Sequence, residues 1–87
     1  MAVHNVTTSA TQVGTRAGTP DSYICLQNES DVDFYLDFDG SVNVLDSTTG
    51  YVLKVGGELI LSAKEYKNPV RVLHASSGTK SLRYQEG

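Results

Sequence analysis

Between residues 22 and 87 apolar and polar side chains alternate with a period of two, and that alternation predicts β-strands rather than helices. The most complete run is DVDFYLDFD, residues 31 to 39. There Val32, Phe34, Leu36 and Phe38 fall on one face, and Asp31, Asp33, Tyr35, Asp37 and Asp39 on the other. Upstream, SYICLQN sets Ile24 and Leu26 against Tyr23, Cys25 and Gln27, and its β-branched and aromatic content favours a strand. NESD then supplies turn residues. SVNVLD reads as a short strand and STTG as a turn, and YVLKV offers Tyr51, Leu53 and Val55 as an inward set. Gly56 and Gly57 suit a two-residue hairpin, because both positions can take positive φ without a Cβ clash. ELILSA returns with Leu59, Leu61 and Ala63 inward. KEYKNP is a polar loop, Pro69 opens VRVLHAS where a missing N–H is tolerated, and KSLRYQEG places Leu82 and Tyr84 on one side. No segment sustains a 3.6-residue apolar repeat. About seven short strands separated by turn signals predict an all-β fold, a small antiparallel β-sandwich or jelly-roll-like barrel.

Residues 1 to 21 break the pattern. They are rich in Thr, Ser, Gly and Ala, with Val3, Val6 and Val13 scattered among them, and GTRAGTPD interrupts any periodicity. Such a segment buries little by itself, so it predicts an extended or flexible N-terminal arm outside a β-sandwich domain of residues 22 to 87. Within that domain Tyr35, Val52, Ile60 and Leu73 lie on what the phases make the outward side. Together with Val3, Val6 and Val13 of the arm they form the candidate partner-binding set, although a one-residue slip of register would exchange the faces.

Composition adds a reason to expect partners. A chain of 87 residues is one domain, and at about this size folding buries only ~60% of the unfolded surface. One cysteine closes no internal disulfide and no cysteine pair seeds a zinc site, leaving oligomerisation or docking as the extra support. The net charge of -3 and pI near 5.1 argue against nucleic-acid binding. From Asp21 to Asp46 every charged residue is acidic, whereas Lys54, Lys64, Lys67, Arg71, Lys80 and Arg83 make the second half basic. These halves can pair across strands of one subunit or between subunits. No apolar run approaches the ~20 residues of a membrane span. MAVHNVTTSA lacks the layout of a signal peptide, so the chain is expected to act without secretion. The glycosylation patterns NVT at Asn5 and NES at Asn28 are then chance matches.

The four aspartates of residues 31 to 39 invite a metal or catalytic reading. Residues two apart on a strand lie ~6.7 Å apart, so Asp37 and Asp39 offer at best two oxygens to a shared ion. A calcium loop starting at Asp37 would need glycine and glutamate where Val42 and Thr48 stand. What remains is a loosely bound surface cation near DFDGS, or simply the solvent face of a strand whose charges discourage edge-to-edge association. A glycosidase pair needs a cleft that so small a domain has little room to build. Cys25 reads as a partly buried inert thiol, His74 as structural, and no serine lies in a nucleophile elbow. Tyr23, Tyr35, Tyr51, Tyr66 and Tyr84 read as packing residues rather than a sugar platform. No catalytic, cofactor or metal site is expected, and the chain is not read as an enzyme.

Three stretches carry a resemblance: ICLQNESDVDFYLDFDG, GYVLKVGGELIL and VRVLHASSGTKSLRYQEG. Covering residues 22 to 87, they resemble small β-sandwich virion proteins of tailed bacteriophages, with Tyr84 where that pattern often has valine. The resemblance implies a capsid cement or decoration protein on the capsid surface of the virion, assembled in the host cytoplasm. It implies binding to further copies of itself, as a trimer, and to the major capsid protein, bridging capsomers, with neither nucleic acid nor membrane as partner. A neck or tail adaptor, a spike-base subunit or a glycan-binding host-attachment module are the alternatives.

Overall fold

A computed structural model of the chain describes residues 1–87, which form eight strands and no helix. The strands are β1 (Ala2–Val6), β2 (Thr11–Val13), β3 (Ile24–Gln27), β4 (Phe34–Asp37), β5 (Tyr51–Leu53), β6 (Glu58–Leu61), β7 (Val70–Leu73) and β8 (Lys80–Glu86). They make two four-stranded antiparallel sheets, sheet A in the order β1-β8-β3-β6 and sheet B in the order β2-β7-β4-β5. The chain is thus an all-β sandwich, with overall extents of 36 × 28 × 17 Å. Only the β4–β5 connection stays within one sheet; every other one crosses the sandwich. Nested pairs β1/β8, β2/β7, β3/β6 and β4/β5 distributed over two sheets are the winding of a jelly roll.

Between the sheets lies a core of Val6, Val13, Ile24, Leu26, Phe34, Leu36, Leu53, Leu61, Tyr66, Val70, Val72 and Leu82, all at most 2% exposed. Burying such an aliphatic or aromatic side chain contributes about 1.5–3 kcal/mol. The phases read from β3, β4 and β8 hold: Ile24, Leu26, Phe34, Leu36 and Leu82 all point inward. Tyr51 shares its face with inward Leu36 by register, yet at the edge of sheet B it is 48% exposed.

The N-terminal segment is not an arm outside the domain. It supplies β1 to the edge of sheet A and β2 to the edge of sheet B, and its Val6 and Val13 are fully buried. An edge strand of three to five residues needs only one or two inward side chains, so single valines in a Thr/Ser-rich stretch suffice. Two further expectations give way. SVNVLD forms no strand, because the Asp46 carboxylate accepts the Thr48 N–H (2.8 Å) and the Thr49 N–H (3.0 Å) and folds DSTTG into a turn. Gly56 and Gly57 form no hairpin, because β5 and β6 belong to different sheets. Only Gly56 has positive φ (79°), and the Gly57 N–H donates to the Lys54 carbonyl at 2.8 Å, closing a turn that carries the chain across the sandwich.

Asn28 anchors that crossing. It is fully buried. Its Nδ2 donates to the carbonyls of Val32 (2.9 Å) and Leu53 (2.8 Å), and its Oδ1 accepts from the Ser30 N–H (3.0 Å) and hydroxyl (2.6 Å). Its own N–H and carbonyl pair with Gly57 and Gly56. One side chain therefore joins the end of β3 in sheet A to β5 in sheet B. Both amide hydrogens are spent on the interior, so the NES pattern has no accessible acceptor nitrogen.

The end of β8 is latched to the β2–β3 connection as well. The Glu86 carboxylate accepts the Thr15 N–H (3.0 Å), the Arg16 N–H (2.8 Å) and the Tyr66 hydroxyl. Burial alone would raise its pKa, but the Tyr66, Arg16 and Thr15 donors together outweigh it, and the carboxyl sits below the ordinary glutamate range. Because the folded value is depressed, this latch contributes fully above the ordinary glutamate pKa and is lost as pH falls through the folded one. Glu86→Gln is therefore expected to lower the urea midpoint at pH 7 and to remove part of its acid-side slope, read from urea titrations between pH 7 and pH 3. An unchanged slope in the variant would refute the latch.

Candidate interaction surface

Cross-strand partners share a face of a sheet, so the registers locate every outward side chain. On sheet B, Tyr35 lies opposite both Leu73 and Val52, giving one apolar row across β7, β4 and β5. The next row is Gln12, Arg71 and Asp37. Three of the seven candidate partner-binding residues, Tyr35, Val52 and Leu73, are thus brought together. Val3 and Ile60, each 57% exposed, lie on the outer face of sheet A. Val6 and Val13 are core residues and unavailable to a partner, and Leu73 is 7% exposed and largely withdrawn.

The loop of residues 38 to 50 lies over this row. Its Leu45 is buried, and Gly50 packs so closely on Tyr35 that an added Cβ would come within 2.8 Å of the tyrosine Cβ. Asp37, expected on the solvent face, is 3% exposed. Its Oδ2 pairs with Arg71 Nη2 at 2.5 Å, and the same guanidinium nitrogen donates to the Val42 carbonyl of the loop. Asp37 Oδ1 has no hydrogen-bond partner. Sequence reading placed Arg71 among the basic residues that pair with the acidic half but gave it no particular partner, since its partners stand 34 and 29 positions away.

The acidic and basic halves of the chain meet inside the subunit. Asp37–Arg71, Asp31–Lys80 (2.9 Å) and Glu29–Arg83 (2.8 Å) each join one half to the other. Asp33 accepts the Val55 N–H at 3.1 Å, and Asp39 accepts the Ser41 N–H at 3.0 Å. The aspartates are therefore occupied separately, and no three His, Cys, Asp or Glu side chains gather as metal ligands.

The remaining candidates for chemistry are structural. Buried His74 accepts the Ser76 N–H at Nδ1 (3.1 Å), so Nε2 carries the proton toward the Gly78 carbonyl (2.8 Å), closing the turn before β8. Burial and then the Glu58 carboxylate push the Cys25 thiol up, away from thiolate character. The tyrosines are dispersed: Tyr66 is in the core, Tyr35 and Tyr51 are on sheet B, and Tyr23 continues the outer face of sheet A beyond β3.

Two clefts flank Asp37. One, of 380 Å³, is walled by Gln12, Asp37, Asn68, Pro69 and Arg71. The other, of 300 Å³, is walled by Asp37, Phe38, Asp39, Ser41, Thr49 and Tyr51. Beside the second lies the start of β5. Of eight exposed large apolar side chains, Tyr51, Val52 and Val55 lie on or next to β5, and Val44 (68% exposed) lies in the loop leading to it. Because β5 is an edge strand, this region combines apolar side chains with an unpaired strand edge. The alternation in YVLKV marked Tyr51 and Val55 as inward; Tyr51 keeps that face but lies on the edge strand of sheet B, and Val55 lies past the end of β5 in the turn closed by Gly57.

Fold and surface together define a small jelly-roll sandwich with an apolar edge. Comparison with known proteins goes no further: no family model, curated protein or solved structure matches the chain.

Proposed function

We propose that this chain is a structural assembly protein of the capsid cement or decoration type, binding the head of a tailed phage and bridging its capsomers as a trimer. The observation that carries the reading is the exposure of Val44, Tyr51, Val52 and Val55 on, before and after β5, whose strand edge is open. An exposed apolar patch beside an unpaired strand edge suits a protein neighbour rather than a small substrate. Likeness of the fold to capsid jelly rolls is an analogy in the same direction, as is the sequence resemblance of residues 22 to 87. A cement binds the assembled lattice and not its dissociated parts, so it stabilises the shell by linkage, and its contact should exceed about 1,000 Å².

Purified protein is expected to bind expanded capsids and raise their melting temperature. Val52→Lys with Val55→Lys should abolish that rise while leaving the protein's own unfolding transition in place. Unaltered capsid stability at saturating protein would count against cementing. Deleting residues 1 to 20 is no test of partner binding, because it strips one strand from each sheet. A neck or tail adaptor on the same fold is separated by copy number, tens or fewer per particle against hundreds. The glycan-binding reading has one observation in its favour, the polar 380 Å³ cleft with its Gln12, Asn68, Asp37 and Arg71 side chains, and a glycan array decides it.

A further inference from the structure

Asp37 holds the one buried side-chain oxygen that lacks a partner. Such a group costs free energy unless something supplies the missing positive charge or donor. The supply from Arg71 comes from one side only. β4 lies between β7, which carries Arg71, and β5, which carries Tyr51, and the 300 Å³ cleft is built on the β5 side.

This cleft has the chemistry of a cation receptor. Asp39, exposed, has one oxygen bound by the Ser41 N–H (3.0 Å) and hydroxyl (2.6 Å), and its carboxyl also lies against the Asp37 side chain. The Ser41 hydroxyl, and then its N–H, hold the Asp39 carboxyl below the usual range, so it is charged at neutral pH. Phe38 and Tyr51 meet edge to face, centroids 5.4 Å apart at 81°, and half-exposed Tyr51 lines the same cleft. Two carboxylates against one guanidinium, itself shared with the Val42 carbonyl, leave the cleft negative.

We propose that the cleft between Asp39 and Tyr51 receives the cationic end of a lysine or arginine side chain presented by another protein chain. Asp39 makes the direct ion pair, the aromatic ring covers the alkyl stem or the cation face, and Asp37 adds its field from beneath. A divalent metal fits less well. Calcium takes six to eight oxygens, and no third acidic side chain reaches this place. A volume of 300 Å³ also suits a side chain rather than a bare ion. The site stands on its own observations and holds whether or not the partner is a capsid.

The test is a titration of the isotope-labelled full chain with Nα-acetyl-arginine methylamide, Nα-acetyl-lysine methylamide and the neutral isostere Nα-acetyl-norleucine methylamide, followed by amide shifts. The two cationic probes should give saturable shifts confined to residues 36 to 51, and norleucine none. Asp39→Asn, which keeps an acceptor for Ser41, and Tyr51→Leu should each weaken binding about three- to fivefold. Gln12→Ala, in the cleft on the other side of Asp37, should leave it unchanged. Equal shifts with norleucine, undiminished affinity in Asp39→Asn, or saturation of the same amides by calcium chloride at lower concentration would each overturn the proposal.

Discussion

Asn28→Ala is expected to destabilise the fold by about 2–4 kcal/mol, the cost of leaving buried polar groups unpaired. The loss has a specific address. With Nδ2 gone the Leu53 carbonyl has no donor from Asn28, the Val32 carbonyl keeps only the Ser30 hydroxyl, and Ser30 loses the acceptor that holds its turn. Asn28→Asp should cost at least as much, because it aims an acceptor at two carbonyls that now receive two donors. Urea unfolding followed by circular dichroism reads both, as a shift of midpoint at unchanged slope. A change below about 1 kcal/mol in Asn28→Ala would mean that the joint between the sheets is held by packing alone.

The second large effect falls on Arg71. Arg71→Ala strands a carboxylate whose side chain is 2% exposed and releases the Val42 carbonyl, so the loop of residues 38 to 50 loses its tether. Breaking a buried pair by removing one partner costs ~3–5 kcal/mol. Since the Arg71 side chain is 33% exposed and its charge partly screened, about 3 kcal/mol is expected. Replacing both partners, Asp37→Leu with Arg71→Leu, should cost less than Arg71→Ala alone, because no charge is left buried. Thermal melts of the single and double variants check the ordering. A double variant less stable than Arg71→Ala would place the pair's contribution in specific geometry rather than in charge compensation.

How much of this was legible in the sequence follows from the reach of each signal. Alternation is local, so the inward faces of β3, β4 and β8 could be read, and with them the all-β class. Assignment to a sheet is not local. Nothing in YVLKVGGELIL says that its two strands lie on opposite sides of the sandwich, and a glycine pair is as compatible with a crossing turn as with a hairpin. β1 and β2 escaped because each carries one buried valine, in AVHNV and in TQV, far too little for a periodicity. The surface was legible in part. Alternation placed Tyr35, Val52 and Leu73 outward, and register joins them, but the loop of residues 38 to 50 settles which of them a partner can reach. Asp37 looked solvated because its neighbours Asp33 and Asp39 are, and only a residue 34 positions later changes its environment.

The position of β8 bears on how the chain acquires its shape in a cell. Residues 80 to 86 lie between β1 and β3, so β1 can pair only after a strand almost eighty positions later has been made. While those residues are still inside the ribosomal tunnel, β1 has no neighbour and one sheet is in pieces. Sheet A therefore closes only once residues 80 to 86 have left the tunnel, and until then the half-built sandwich exposes its valines and leucines. Synthesis that stops before residue 80 should yield aggregates rather than a smaller stable product.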